Sequence, residues 1–326
     1  MAEKVRVLFI AGASRSGSTI LHNILGQVDG FQAVGELRDL WQRGAIKNWL
    51  CGCGVPFDRC EFWSDIFARV SAGDGPIGAE EMSSVIESFR IKHLPLTWIP
   101  WLRRTHLDRL QPYLARLGDV YAAIRVSTGA RVIVDSSKNP AYGYLLAQIP
   151  ALEVFYLHLI RDAPAVAHSW ARKKMFEPGK PMPRQSHLKS ALQWDARNLA
   201  TEVFLPSGER RLRIRYEDMM IDPYGTTREI IRWLDHSHSP LPFTSSHEVI
   251  LNRPNHSVFG NAVRFQQGSV PLAYDDRWRR DMPHHKMRLV GVATRPLRRR
   301  YGYTAKRKPD RGQHVGLHDD PTQPSS

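Results

Sequence analysis

Val5–Ile10 is a run of β-branched and apolar residues, the pattern of a strand buried on both faces. Three later runs share that character: "ARVIVDSSK" (130–138), "EVFYLHLIRD" (153–162) and "LRIRYED" (212–218). Between them apolar positions recur at helical spacing. Ile20, Leu21, Ile24 and Leu25 form one stripe within 19–28, and stretches 37–50, 79–92, 105–127, 141–149, 164–175, 186–204 and 223–235 also read as helical. A short second strand is expected just before Glu36. Residues 51–75 look loop-rich, and Pro95 and Pro100 interrupt regular helix in "HLPLTWIPWLRR" (93–104), where Trp98 and Trp101 suggest either an apolar lid or a loop packed on the core. Strands alternating with helices predict an α/β fold of three layers, a central parallel sheet flanked by helices. In such sheets ligands sit beyond the carboxyl ends of the strands. The polar clusters follow strand ends here: Ser14–Thr19, Asp135–Lys138, Arg161–Asp162 and Tyr216–Asp218.

The first of these clusters, "AGASRSGSTI" (11–20), nearly spells the phosphate-binding pattern G-x-x-x-x-G-K-[ST]. Gly12 and Gly17 have the required separation and Thr19 holds the hydroxyl position, but Ser18 stands in place of the lysine. The nearby cation is Arg15, inside the loop. A glycine-rich turn from a strand into a helix aims backbone N–H groups at one spot, where the helix dipole adds positive potential. Arg15 adds a planar fork of donors suited to a tetrahedral oxyanion, and Ser14, Ser16, Ser18 and Thr19 add hydroxyls. The strand–loop–helix context makes this a P-loop-like fold whose loop binds an anion.

The chain has 326 residues, a net charge of +14 and a pI near 10, which favours an anionic partner. Much of that excess belongs to the C-terminal end: twelve Lys or Arg lie between Arg277 and Lys308 against one acid, Asp281. From about Thr304 the chain is polar and is expected to be a disordered tail, 304–326. No apolar run is long enough to span a bilayer, so the expected location is cytoplasmic. The three cysteines, Cys51, Cys53 and Cys60, fall within ten residues. Their C-x-C-x6-C spacing is not a usual zinc pattern, and a fourth ligand would have to come from elsewhere. A compact loop with reduced thiols or one local disulfide is the expectation, and none of the fourteen histidines pairs at a metal-binding spacing. No metal is expected.

Arg161 closes the third buried run, in "LIRDAPAVAHSW", with Asp162 placed to cap the next helix and Pro164 in its first turn. Ser169 lies about two turns in. Arg161 and Ser169 suit a second phosphate clamp, or equally a surface Arg–Asp pair with a solvent-facing serine. At this point the chain resembles the PAPS-dependent sulfotransferases, bacterial type, similar to the tyrosylprotein and carbohydrate branches. "GASRSGST" looks like their 5′-phosphosulfate loop and "IRDAPAVAHSW" like their 3′-phosphate motif, with Pro164 where the family carries an arginine. "VDSSK", "YEDMMIDP" and "GNAVRF" (260–265) are similar to further family segments, and the resemblance runs from residue 5 to about 280.

The resemblance implies a single domain over 1–303, with 50–130 and 236–285 as acceptor-side insertions and cap. It implies sulfonyl transfer from PAPS to a small-molecule or glycan hydroxyl, releasing 3′-phosphoadenosine 5′-phosphate, with no nucleic acid as partner. Glu36, in "VGELRDLW", matches the family's general base; from the residues alone a dipole-stabilising first-turn glutamate is equally good. Lys138 matches the lysine that stabilises the leaving phosphate or sulfonyl oxygens. Arg15 and the N–H groups around Ser16, Gly17, Ser18 and Thr19 would hold the moving sulfonyl group, and Arg161 and Ser169 the 3′-phosphate. Tyr216 matches an aromatic near adenine and Arg264 a late contact to the 3′-phosphate. One alternative is a P-loop small-molecule kinase using ATP and Mg²⁺, with "VIVD" as a Walker-B strand and Asp135 on the metal; the missing loop lysine argues against it. Another is a non-enzymatic binder of anionic surfaces through the basic C-terminus.

Overall fold

The structure is a computed structural model that describes residues 3–75, 78–177, 179–235 and 239–303. The expected tail, 304–326, lies outside the described residues. β1 (Val5–Ala11) leads through a loop into α1 (Ser18–Leu25) and β2 (Phe31–Gly35). The chain then forms α2 (Glu61–Asp74), α3 (Ala79–Ser88) and the long α4 (Pro100–Thr128) before β3 (Val132–Lys138). Next come α5 (Pro140–Leu146), β4 (Leu152–Ile160), α6 (Ala163–Ala171) and a small hairpin, β5 (Met175–Glu177) with β6 (Lys180–Pro181). α7 (His187–Phe204), β7 (Arg211–Arg215), α8 (Tyr216–Ile221) and α9 (Pro223–Asp235) complete the sheet and its cover.

The central sheet has the order β2-β3-β1-β4-β7 and is parallel throughout. β1 is its middle strand, paired with β4 from Val5↔Leu152 to Ala11↔His158. Strand periodicity sends alternate residues to opposite faces. Val7 and Phe9 pack with α2–α5, whereas Leu8 and Ile10 pack with α1, α8 and α9. This double burial explains the largely apolar runs. The chain moves from β1 out to β2, returns to β3, and then crosses β1 to reach β4 and β7. The strand order therefore reverses beside β1, where a crevice opens at the carboxyl ends.

Some local expectations change. Residues 51–75 contain a 14-residue helix, α2, because Trp63, Ile66 and Val70 recur on one buried face behind the cysteine-rich turn. Pro95 sits inside a 3₁₀ segment (Ile91–Trp98), and Pro100 occupies the first turn of α4, where a missing N–H costs nothing. Trp98 and Trp101 are 67% and 68% exposed, and Trp98 stacks on Phe204 at 5.0 Å rather than lining the crevice. Asp162 makes no capping bond to α6. Its carboxylate instead accepts both Nε and Nη2 of Arg298, at 2.7 and 3.1 Å. Part of the C-terminal basicity thus ties the end of the chain to the core. Beyond α9, β8 (Phe243–Ser245), β9 (Glu248–Leu251) and β10 (Gly268–Pro271) form an antiparallel sheet within the segment expected to be loop-rich. No helix among the described residues is long and apolar enough to cross a membrane.

Candidate functional site

Each of the five parallel strands delivers a polar residue from its carboxyl end to one cavity of about 420 Å³. Glu36 follows β2, Lys138 ends β3, the 12–17 loop follows β1, Arg161 follows β4, and Tyr216 follows β7. A volume of this size suits a small-molecule site.

The loop departs from ordinary backbone geometry at three positions: Gly12 (φ 123°), Arg15 (φ 73°) and Gly17 (φ 88°). Gly17 is the residue before α1, and the first N–H groups of that helix have no intrahelical acceptor. A Cβ on Gly17 would approach Tyr216 Cδ2 to 2.6 Å. The left-handed conformation costs a non-glycine residue about 1–2 kcal/mol, and the ring contact adds to it. Gly17→Ala is therefore expected to lower unfolding free energy by roughly 1–3 kcal/mol in chemical denaturation. An unchanged midpoint would mean that Tyr216 yields freely.

Arg15 lies with its guanidinium carbon 4.6 Å over the Trp170 ring and Nη2 2.8 Å from Met182 Sδ. Its buried Nε has no partner among the described residues. Burial lowers its pKa to about 10, so it stays cationic near neutrality. Arg161 is likewise stacked, 4.3 Å over Tyr216, donates to the carbonyl oxygens of Arg15 (3.2 Å) and Asp275 (3.0 Å), and pairs with the Asp275 carboxylate at 3.3 Å. Its Nε is also buried without a partner. Ser169 Oγ accepts from Lys174 Nζ at 3.0 Å. Burial, then the Arg15 and Arg161 charges, push Lys174 down to about 8. Cations this crowded mark a place that an anion would neutralise. On the far side, Lys138 (φ 62°) places Nζ 2.6 Å from Glu36 Oε1 and 2.9 Å from the Ser136 carbonyl oxygen.

Most residues singled out from sequence meet here: Ser14, Arg15, Gly17, Ser18, Thr19, Glu36, Lys138, Arg161, Ser169 and Tyr216 all line the cavity. Two do not. Ser16 is buried with its hydroxyl donating to the Ala13 carbonyl oxygen at 2.7 Å, which stiffens the loop and leaves only its backbone for a ligand. Arg264 corrects the expected phosphate contact. Its guanidinium is 1% exposed and donates to the carbonyl oxygens of Gly260 (2.8 Å), Phe176 (3.1 Å) and Leu50 (3.2 Å), with Glu177 at 3.4 Å. Arg264 binds three segments of the wall together instead.

Asp135 is also absent from the lining. Fully buried, it accepts Tyr121 Oη at 2.6 Å and Ser137 N at 2.8 Å, and burial raises it to about 6. A metal-holding Walker-B carboxylate does not fit that position, which removes the main support of the kinase reading. The two segments expected on the acceptor side differ in their relation to the cavity. Phe259, Gly260, Asn261 and Val263 come from the 236–285 segment, but no described residue of 50–130 lines the cavity. The other wall comes from Trp170–Met182 and α7.

Residues that sequence reasoning missed add to the positive charge. Lys174 comes from the segment after α6, Arg197 from α7, and Arg38 and Arg43 from the turns after β2. Arg197 donates to Ser14 Oγ at 3.2 Å. Asp39, beside them, is raised to about 6 by burial and by Glu36. The helical periodicity of 186–204 places Arg197 on a face that also holds buried Trp194, the one signal that pointed inward.

No known family profile matches the chain, and no curated protein sequence does. Among solved structures, the sulfotransferase domain from the Synechococcus PCC 7002 olefin synthase aligns with a TM-score of 0.51 at 19% identity, over 93% of this chain and 97% of that one. The sulfotransferase domain from the curacin biosynthetic pathway aligns over 89% of this chain and 98% of its own, at 18% identity and a TM-score of 0.48. On the first of these likenesses, the chain has the α/β fold of a sulfotransferase domain.

Proposed function

We propose that residues 1–303 form one sulfotransferase domain that moves the sulfonyl group of PAPS to a hydroxyl acceptor and releases 3′-phosphoadenosine 5′-phosphate. One observation carries the reading: two stacked guanidinium groups, Arg15 and Arg161, each with a buried Nε that has no partner among the described residues, share a cavity with Lys174 on one side and the Glu36–Lys138 pair on the other. The buried, unpaired Nε atoms fit a ligand with two anionic ends. The loop N–H groups and Arg15 hold the sulfonyl end, and Arg161, Ser169 and Lys174 hold the 3′-phosphate. Lys174 supplies a cation near the motif in which Pro164 replaces an arginine. Tyr216 offers its ring edge to the loop and its face to Arg161, a position suited to adenine. Glu36 accepts the proton of the attacking hydroxyl, while Lys138 fixes its carboxylate and stabilises charge on the departing oxygens.

Calorimetry tests the donor. 3′-Phosphoadenosine 5′-phosphate is expected to bind without Mg²⁺, and Arg161→Ala to weaken it by roughly 10–100-fold, the scale of a lost charge-assisted bond. Tighter binding of ATP with Mg²⁺ would overturn the reading. The Lys174 pKa gives a second check. An anion favours the protonated amine, so its pKa rises in the complex above the free value of about 8. The contribution of Lys174 to affinity is then level below pH 8 and weakens above it, by up to about tenfold per pH unit, while loss of phosphate charge weakens binding separately below about pH 6. Lys174→Met is expected to flatten that dependence; a slope unchanged in the variant would assign the effect elsewhere.

The acceptor side is aromatic. Phe176 and Phe259 lie 4.7 Å apart on the cavity wall, each 5.6 Å from Trp49. This favours an acceptor with an apolar or ring-shaped face, a phenol or a sugar among them. Labelled sulfonate transfer across alcohol, phenol and glycan panels distinguishes these classes.

A further inference from the structure

Away from the cavity, Cys51, Cys53, Cys60 and His256 bring their ligand atoms within 4.8 Å of one another. The three cysteines are not disulfide-bonded. Cys51 and Cys60 Sγ are 3.5 Å apart and Cys53 and Cys60 Sγ 3.7 Å, far beyond the S–S bond of about 2.05 Å. His256 Nδ1 lies 3.4 Å from Cys60 Sγ and 3.7 Å from Cys51 Sγ. A tetrahedral zinc ion with Zn–S near 2.3 Å and Zn–N near 2.0–2.1 Å sets edges of about 3.8 Å between sulfurs and about 3.5 Å between sulfur and nitrogen. These four spacings match those edges to within a few tenths of an ångström, and the remaining two lie within 4.8 Å.

The surroundings hold each ligand in place. Cys51 donates its N–H to Val55 O at 2.8 Å and accepts from Gly54 N at 2.9 Å, so Cys51–Val55 closes as a tight knuckle. Gly52 N bonds Ser257 O at 2.9 Å, and a Cβ on Gly52 would strike Asn255 O at 2.6 Å. The knuckle and the His256 segment can approach this closely only with glycine there. Cys60 precedes α2, whose second and third residues fix the histidine. Phe62 stacks on its ring at 4.3 Å and 9°, and Trp63 Nε1 donates to its carbonyl oxygen at 3.0 Å. Metal sites commonly orient their ligands through such outer contacts.

We infer that Cys51, Cys53, Cys60 and His256 form a structural zinc site of the Cys₃His type. Four protein ligands leave no open position, so the ion clamps and does not catalyse. Binding deprotonates the three thiols and releases their protons to solvent. The clamp joins the turn after Trp49 to the strip that continues through Phe259, Gly260 and Asn261 into the cavity wall. The sequence expectation of a metal-free loop missed it because the fourth ligand lies 196 residues from Cys60.

The test is metal content of the full chain, purified under reducing conditions from zinc-supplemented medium. About one zinc per chain is expected, with the three thiols inert to a disulfide reagent until a chelator is added. Cys53→Ser and His256→Ala are each expected to cut the stoichiometry by at least about fivefold. Co²⁺ added to the reduced, stripped wild-type chain is expected to give thiolate charge-transfer and tetrahedral d–d absorption, which serves if a variant does not fold. Freely reacting thiols with no zinc and no cobalt spectrum would overturn the site, and iron at equal stoichiometry would overturn its assignment to zinc. None of these readouts depends on sulfonyl transfer.

Discussion

Glu36→Gln is expected to lower kcat by about 10²–10⁴-fold, the usual worth of a positioned general base. The substitution keeps the shape of the side chain and removes only its ability to take a proton. Affinity for 3′-phosphoadenosine 5′-phosphate is expected to change far less than kcat, because Glu36 pairs with Lys138 and does not contact Arg161, Ser169 or Lys174, the groups assigned to the 3′-phosphate. Asp39 is the internal control. It lines the same cavity and is raised to about 6, so it is a second carboxyl placed to accept a proton there. If Asp39→Asn stops turnover while Glu36→Gln leaves it within tenfold, the base is Asp39 and the proposed role of Glu36 falls.

Arg15→Ala is expected to reduce kcat by roughly a hundredfold or more, as when a donor to developing negative charge is removed. Two effects need separating, because Arg15 also holds the loop at φ 73°, a region unfavourable for any residue but glycine. Arg15→Gly removes the same cation and relieves that backbone cost of about 1–2 kcal/mol. Equal rate losses in the two variants, with the glycine variant the more stable to heat, would locate the effect in the guanidinium. Recovery of activity in Arg15→Gly would move it to the loop conformation. Because Arg15 helps to depress Lys174, either change is also expected to raise the Lys174 pKa above 8.

The sheet was legible because β1, β3 and β4 are buried on both faces, which makes their runs mostly apolar, with polar residues such as Asp135–Lys138 gathered toward the carboxyl end of β3. The phosphate-type loop was legible for a local reason: backbone with positive φ demands glycine at 12 and 17, and the demand is written in neighbouring residues. Glu36, Lys138, Arg161 and Tyr216 came into view as strand-end residues or through resemblance, and the parallel sheet gathers them because strand ends converge. What remained hidden is tertiary. Nothing near Arg264 in sequence announces that its charge will face Leu50, Phe176 and Glu177. Lys174 reads as one cation in the run "ARKKM" until folding sets it beside Ser169. α2 was concealed because the Cys/Gly turn and Pro56 before it outweigh, in a short window, the helical spacing that starts at Glu61.

The division between sheet and wall has a practical consequence. Arg15, Glu36, Lys138, Arg161 and Tyr216 are rooted in five strand termini, and Ser169 in α6, whereas the aromatic rim is carried by the β5–β6 hairpin and the strip around Phe259. Acceptor preference is therefore a detachable module: grafting a different hairpin between Lys174 and Met182, with both of those residues kept, should retune which hydroxyl is accepted while the engine beneath keeps its alignment.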